Sequence, residues 1–268
     1  MQSLNLAGAS VLLTGASSGI GAALAPTRGA RGARVGLVAR RAGRLHEVVE
    51  RCQAIGGEAH AFAVDLGDLD AVDRLAAHAW ETLGGIDCLV NNAAIPKRVR
   101  ATDLNADLVD ETMRVNFASP VRLTLALLPR FVERGSGLFV NVSSTGGRMP
   151  IANEAAYCAS KYAVAGWSEA LRIDLEGTGV GVKLVLPGPI ATEIWDQPGN
   201  EAALFDVDKV PAEDCALEIA EAIEHNGFEY YTPAAFPGGM DAKQMIVDKT
   251  ANCDAFVAGM AAFAATLR

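Results

Sequence analysis

The stretch TGASSGIG, residues 14–21, follows directly on the apolar run SVLLT of residues 10–14. Gly15 lets the chain turn tightly, while Gly19 and Gly21 let backbone N–H groups and a helix N-terminus approach a pyrophosphate closely. Glycines in this position, after the first strand of a βαβ unit, are a far stronger signal than a glycine cluster alone. The stretch therefore predicts a dinucleotide site at the first strand–helix turn. The residues expected there are Gly15, Ser17, Ser18, Gly19, Ile20 and Gly21.

Further apolar runs recur along the chain, with helix-like stretches between them. The runs are SVLLT (10–14), ARVGLVA (33–39), EAHAFAV (58–64), IDCLV (86–90), GLFVNVS (137–143), VGVKLVL (180–186) and FEYYTP (228–233). The first six are almost continuously hydrophobic, which is typical of strands covered by helices on both faces. Because strands and helices alternate and the first turn is glycine-rich, we predict an α/β fold. Its core would be a doubly wound Rossmann-type parallel sheet of about seven strands, with helices on both faces.

We expect one nucleotide-binding domain over residues 1–268, since no repeat, linker or composition break divides the chain. The region of about 190–212 bears prolines and has no strand pattern, so it is predicted to be a loop or lid. A helical extension is expected over about 240–268. Pro26 lies inside the expected first helix, which we predict to bend or stop early there.

Composition narrows the classes of partner. The formal net charge is −9, which disfavours nucleic acid and anionic membrane surfaces. The five cysteines form no CxxC pair and the four histidines are scattered, so we predict reduced thiols, no metal site and a cytoplasmic location. The longest apolar run, AFVAGMAAFAATL at residues 255–267, is too short to span a bilayer and favours a packed terminal helix.

The end of the second predicted strand indicates which dinucleotide is preferred. An NAD site would place a carboxylate there to accept hydrogen bonds from the adenosine ribose. The sequence instead reads Ala39, Arg40, Arg41, and a guanidinium can pair bidentately with a 2′-phosphate. We therefore predict NADP(H) over NAD(H). The alternative is that both arginines are solvated loop charges.

The stretch YCASK places Tyr157 and Lys161 four residues apart, on one face of a helix predicted over 154–176. Such a pair alone is typical of an exposed helix surface. A nearby ammonium, however, can lower the phenol pKa toward neutrality and make tyrosine a usable proton donor. Ser144, in NVSS thirteen residues before the tyrosine, could donate a hydrogen bond to a substrate oxygen.

These motifs together resemble the short-chain dehydrogenase/reductase family. TGxxxGxG, an NNA motif, the serine and YxxxK occur in that family's order and spacing, over about residues 5–195. The resemblance implies that Tyr157 is the general acid/base, that Lys161 lowers its pKa and binds the nicotinamide ribose, and that Ser144 polarises the carbonyl. Asn116 would hold a proton-relay water.

The resemblance also implies further cofactor contacts. These are Asp65 and Leu66 at the adenine, Asn92 along the cleft, and Pro187, Gly188, Ile190 and Thr192 over the nicotinamide. The family's NNAG appears here as NNAA, with Ala94 in place of glycine. Arg148 and Met149 are expected to face the substrate.

Three functions stay open. The first is an NADP(H)-dependent dehydrogenase or reductase for a small-to-medium apolar alcohol or ketone, because Ile194, Trp195, Leu204 and Phe205 populate the lid. The second is a 3-oxoacyl-thioester reductase, and the third is a non-catalytic NADP(H) sensor or scaffold. A homodimer or homotetramer is expected from the resemblance.

Overall fold

Seven parallel strands form the central sheet in the computed structural model, which describes residues 3–29, 32–204, 207–235 and 241–267. They are β1 Ser10–Thr14, β2 Arg34–Ala39, β3 Glu58–Ala63, β4 Cys88–Asn91, β5 Gly137–Val142, β6 Val180–Pro187 and β9 Glu229–Thr232. Two further strands, β7 Ile190–Ala191 and β8 Val210–Pro211, pair in a separate two-stranded sheet. The sheet order is β3-β2-β1-β4-β5-β6-β9. Each apolar run of the sequence therefore supplies one strand, and the predicted fold class is confirmed.

The helices lie on both faces of this sheet. They are α1 Gly19–Gly29, α2 Ala42–Ala54, α3 Leu69–Thr82, α4 Ala106–Met113, α5 Ser119–Arg134, α6 Ala155–Asp174, α7 Ala212–Glu224, α8 Ala242–Ala251 and α9 Cys253–Thr266. α1, α2 and α7 bury one face, and α3, α5 and α6 bury the other. β1 is covered on both sides, with Val11, Leu12 and Leu13 fully buried. None of the described helices is long and apolar enough to cross a membrane.

The position of β1 fixes where a ligand can bind. β1 pairs in parallel with β2 on one side and with β4 on the other, so the chain reverses its winding direction at β1. Helices on opposite faces then leave a crevice beyond the carboxyl ends of these strands. The glycine turn lies at that crevice.

Two details of the strands differ from prediction. β3 is an edge strand in which only Ala59 and Phe62 are buried, so the expected cover on both faces is wrong there. The region 190–212 contains two short strands, β7 and β8, which pair in parallel at Ile190 and Val210. Two-residue strands have too little pattern to be found in sequence, yet they close the base of the lid. Phe205 lies outside the described residues.

Two helices also differ from prediction. α1 continues through Pro26 to Gly29 and does not stop at the proline. The long middle helix is interrupted by a π-helical turn at Arg114–Ala118, between α4 and α5. π-Helical turns inside α-helices occur frequently at functional sites, and this one contains Asn116. The C-terminal extension consists of two helices, α8 and α9, and its predicted first residue, 240, lies outside the described residues.

Candidate active site

The glycine turn allows a ligand to approach the protein backbone closely. Gly15 has a φ of 69°, and a Cβ there would lie 2.8 Å from Ala93 Cα. Gly19 has a φ of 51°, and its Cβ would lie 2.9 Å from the Thr192 methyl group. A Cβ on Gly21 would collide with the carbonyl oxygen of Gly15. Only glycine fits these positions, so the turn presents bare backbone and the N-terminus of α1, as a pyrophosphate requires.

A cleft of about 280 Å³ opens in front of this turn. Most of the predicted cofactor contacts line it: Gly15, Ser17, Ser18, Gly19, Ile20, Arg40, Arg41, Asp65, Leu66, Asn92 and Thr192. Pro187, Gly188 and Ile190 line a second, larger cavity next to it. Gly21 lies beneath the turn and does not line either cavity. The backbone N–H groups of the turn, together with the hydroxyl and guanidinium groups that line the cleft, suit the phosphates of a dinucleotide.

Asn92 ties the end of β4 to the glycine turn. Its Nδ2 donates to the carbonyl oxygen of Thr14 at 2.9 Å, and its backbone N–H donates to Thr14 Oγ1 at 3.0 Å. The N–H of Ala93 donates to the same hydroxyl at 3.1 Å. Ala94 lies beside both cavities, so its methyl group borders the passage between them.

Arg41 lies across the outer end of the cleft. Its Nη2 donates to Ser18 Oγ at 2.8 Å and to Ser17 Oγ at 3.2 Å. Its Nη1 donates to Glu193 Oε2 at 3.0 Å, and Arg44 donates to the other oxygen of the same carboxylate. The end of β2 carries no carboxylate of its own, but the Glu193 carboxylate reaches this point from the lid.

Tyr157, Lys161 and Ser144 face one another across the larger cavity. The helix α6 places Tyr157 and Lys161 one turn apart, with Lys161 Nζ 5.7 Å from the centre of the tyrosine ring. Ser144 lies two residues after the end of β5 and caps a 3₁₀ turn, where its Oγ accepts from Gly146 N at 3.0 Å. The hydroxyl also donates to the carbonyl oxygen of Pro187 at 3.5 Å.

Burial is the main cause of the pKa shifts of Tyr157 and Lys161. Burial, and secondly the charge of Glu154, raises the pKa of Tyr157, whereas a hydrogen bond with Ser144 lowers it. Burial also lowers the pKa of Lys161 to about 7. The resulting direction for Tyr157 is opposite to the lowering expected from the sequence. Burial likewise raises the pKa of Cys158 to about 11, so this buried neighbour of Tyr157 is a protonated thiol that packs in the interior.

Asn116 lies buried in the π-helical turn and connects two elements. Its Oδ1 accepts from Ile95 N at 2.8 Å, and its Nδ2 donates to Ile95 O at 3.0 Å. The same Nδ2 donates to Ser160 Oγ at 3.0 Å, and Ser160 lies next to Lys161 on α6. Asn116 thus fixes the segment after β4 against the helix that bears Tyr157.

The larger cavity encloses about 700 Å³ and is mainly apolar. The lid lines it with Ile194, Trp195 and Leu204, as predicted. The sequence did not identify the other apolar walls: Ile151, Val207, and Met245, Phe256, Met260 and Phe263 from the C-terminal helices. Met149 faces the cavity as expected. The expectation for Arg148 is wrong, because its guanidinium pairs with Glu169 and with Glu229, the latter at 2.6 Å.

A buried ion pair forms the polar end of the larger cavity. Arg98 Nε donates to Glu154 Oε1 at 2.9 Å, and the two side chains are 4% and 12% exposed. Arg98 also donates to the carbonyl oxygen of Glu201 at 3.0 Å and stacks over Trp195. Burial raises the pKa of Glu154 in spite of the pairing. Neither residue was identified from the sequence, because no local pattern joins them.

Comparison with known proteins places this geometry in context. The family model described as short chain dehydrogenase matches residues 9–202. A short chain dehydrogenase of Pseudocercospora fijiensis is 37% identical over 70% of this chain, and the ketoacyl reductase HetN of Nostoc is 36% identical over 69%. The chain spans 62% and 65% of the lengths of these two curated relatives.

Solved structures show the same fold with either dinucleotide. A metagenomic short-chain oxidoreductase in complex with NADP aligns with a TM-score of 0.73 and 31% identity, covering 85% of this chain and 96% of that one. A short chain dehydrogenase/reductase from Burkholderia phymatum in complex with NAD aligns with a TM-score of 0.79 and 26% identity, covering 86% and 91%.

Proposed function

The chain belongs to the short-chain dehydrogenase family, and on that premise we propose that it transfers a hydride between NADP(H) and an alcohol or ketone. One observation carries the proposal: the dinucleotide cleft and the cavity bearing Tyr157 share a common wall. That wall is made by Ile20, Asn92, Ala94, Pro96, Thr192 and Ile194. A substrate carbon in the larger cavity would thus lie beside a nicotinamide held in the cleft.

The side chains of the larger cavity would handle the proton. The dinucleotide, when bound, donates or accepts the hydride. Tyr157 would give its Oη proton to the substrate oxygen in reduction and take it back in oxidation. Ser144 would hold that oxygen by a hydrogen bond, since its hydroxyl lies in the same cavity as Tyr157 and can turn away from its 3.5 Å contact with the Pro187 carbonyl. Lys161 would hold the nicotinamide ribose.

The preference for NADP(H) is supported by the cations at the cleft. Arg40 and Arg41 line its outer end, and Arg41 lies within hydrogen-bond distance of Ser17 and Ser18. Two guanidinium groups with two hydroxyls suit a 2′-phosphate, which carries close to two negative charges. Since related structures hold either cofactor, the preference must be measured on this protein.

The apolar walls support a hydrophobic substrate of small to medium size. Methionine, phenylalanine, tryptophan, isoleucine, leucine, valine and proline side chains line the 700 Å³ cavity. A second candidate is the reduction of a 3-oxoacyl thioester, which the name of the Nostoc relative favours. The net charge of −9 disfavours docking of an acidic carrier protein, so an alcohol or ketone remains the first choice.

A substrate panel tests the proposal directly. Ketones, secondary alcohols and a 3-oxoacyl thioester are compared by nicotinamide absorbance, each with the phosphorylated and the unphosphorylated cofactor. Tyr157→Phe should lower kcat by about 10²–10⁴-fold while the dissociation constant of NADPH stays unchanged. An NADP(H)-binding sensor without turnover would show no such loss, and higher kcat/KM with NADH would refute the cofactor preference.

We further propose a homodimer or homotetramer. α8 and α9 expose Val247 and Val257, which provide apolar contact area. Light scattering coupled to size exclusion gives the mass in solution. A monomer across the micromolar range would reject this part of the proposal.

A further inference from the structure

Glu193 brings a negative charge from the lid to the cationic end of the cofactor cleft. It is the first residue of the 3₁₀ turn Glu193–Asp196, directly after Thr192. Arg41 donates to its Oε2 at 3.0 Å and Arg44 donates to its Oε1. The carboxylate therefore occupies the outer N–H groups of both arginines. The Nε and Nη2 groups of Arg41 are held by the hydroxyls of Ser17 and Ser18.

The contact is accessible and can be displaced. The side chains of Arg41, Arg44 and Glu193 are 42%, 44% and 44% exposed. Ion pairs at this exposure contribute little to stability, because water screens them. The hydrogen bonds from Arg44 and then Arg41 lower the pKa of Glu193, so the group is a carboxylate at neutral pH.

A 2′-phosphate would need the same donors. It carries close to two negative charges and three acceptor oxygens, and it pairs with guanidinium in the same bidentate manner as a carboxylate. The Nη1 that bonds to Glu193 cannot serve both anions fully, and two anions at one guanidinium repel each other. Ribose hydroxyls, which are uncharged, meet no comparable repulsion.

We propose that Glu193 is a specificity-determining residue that competes with the 2′-phosphate of NADP(H) for Arg41 and Arg44. It weakens the binding of the phosphorylated cofactor and leaves the binding of NAD(H) unchanged. This inference rests on the proposed NADP(H) site. It predicts that the protein discriminates between the two cofactors less strongly than its arginines alone would allow.

Glu193→Gln tests the inference because it removes the charge and keeps the side-chain shape. Dissociation constants of NADPH and NADH are measured by fluorescence titration, and those of 2′,5′-ADP and 5′-AMP by calorimetry. We expect the variant to bind NADPH and 2′,5′-ADP about two- to fivefold more tightly, the range given by an exposed ion pair. Binding of NADH and 5′-AMP should not change.

Asp196→Asn is the matched control. Asp196 lies in the same 3₁₀ turn and is exposed, and the structure gives it no ion pair with Arg41 or Arg44. The substitution changes the net charge equally, so all four dissociation constants should stay at their wild-type values.

Each contrary result has a separate meaning. Weaker NADPH binding by Glu193→Gln would mean that Glu193 orders Arg41 for the phosphate, and equal gains for all four ligands would mean a general effect of the lid. Either result, or no change, overturns the inference. The proposed function still stands in these cases if the wild-type protein prefers NADPH. If neither wild type nor Glu193→Gln binds 2′,5′-ADP more tightly than 5′-AMP, the phosphate site itself is refuted and both the inference and the proposed NADP(H) preference fail.

Discussion

The Nζ of Lys161 donates a hydrogen bond to the carbonyl oxygen of Val142 at 3.0 Å, which holds the amine between α6 and the end of β5. The residue is only 2% exposed. A carbonyl compensates an ammonium group only in part for the water it loses, so burial lowers the pKa of Lys161 to about 7. The lysine thus titrates near neutral pH in the folded protein.

This titration makes the free energy of unfolding depend on pH. Between about 7 and the ordinary lysine pKa of 10.5, the unfolded chain binds a proton that the folded chain does not. The contribution of Lys161 is therefore greatest above pH 10.5 and is lost as the pH falls through about 7. Between pH 7 and 9, the free energy of unfolding of wild type should rise by at most about 3 kcal/mol relative to that of Lys161→Met. Urea unfolding measures both.

Lys249→Met serves as the control for that comparison. Lys249 lies in α8 and its Nζ donates to the carbonyl oxygen of Arg148 and to the exposed Tyr162. Its substitution should leave the pH dependence of stability as in wild type. Parallel curves for wild type and Lys161→Met would contradict the lowered pKa.

Glu154→Gln should shift the pH profile of the reaction. The carboxylate of Glu154 raises the pKa of Tyr157, so its removal should lower that pKa. In alcohol oxidation the tyrosine acts as a base, and the rising limb of kcat/KM should therefore move to lower pH. The glutamine can still accept from Arg98 Nε, which limits the loss of stability from the broken pair.

A surface carboxylate provides the comparison for Glu154. Glu133 is exposed on α5, and Glu133→Gln changes the net charge by the same amount. Its pH profile should match that of wild type. If both variants shift alike, the effect is one of overall charge, and if neither shifts, Glu154 does not tune Tyr157.

The C-terminal helix α9 should control the size of substrate accepted. Met260 lines the larger cavity, so Met260→Trp would fill part of its volume. We expect KM for a bulky ketone to rise about tenfold or more, and KM for a small ketone to stay nearly constant. Val257→Trp changes an exposed residue of the same helix and should leave both KM values unaltered. A uniform rise for both ketones in Met260→Trp would indicate disturbed packing.

Local patterns explain which parts of this molecule the sequence could predict. β1 and β2 were identifiable because continuous apolar residues leave few alternatives to a strand buried on both faces. Tyr157 and Lys161 were identifiable because an i,i+4 spacing fixes a shared helix face without tertiary knowledge.

Contacts between distant segments could not be predicted in this way. The Arg98–Glu154 pair spans 56 residues, and the Arg41–Glu193 pair spans 152. The first depends on how the segment after β4 meets the start of α6, and the second on where the lid lies relative to the sheet. No periodicity in the sequence encodes either arrangement. The raised pKa of Tyr157 was missed for the same reason, because burial and the charge of Glu154 arise only when the cavity closes around the ring.

Gly21→Ala should destabilise the fold and abolish cofactor binding together. The new methyl group would collide with the carbonyl oxygen of Gly15 and lie 2.8 Å from Asn92 Nδ2. Because the carbonyl belongs to the backbone, the turn itself would have to shift to make room. A loss of about 1–3 kcal/mol in the free energy of unfolding is expected from such overpacking. Gly166→Ala, at an exposed position of α6 with nothing within 4 Å of the added Cβ, should instead stabilise the fold by about 0.5–1 kcal/mol. Urea unfolding and NADPH titration of both variants separate the causes. If Gly21→Ala keeps wild-type stability but loses binding, Gly21 serves only the contact with the ligand. The expected loss of both means that the packing of the turn itself shapes the cleft.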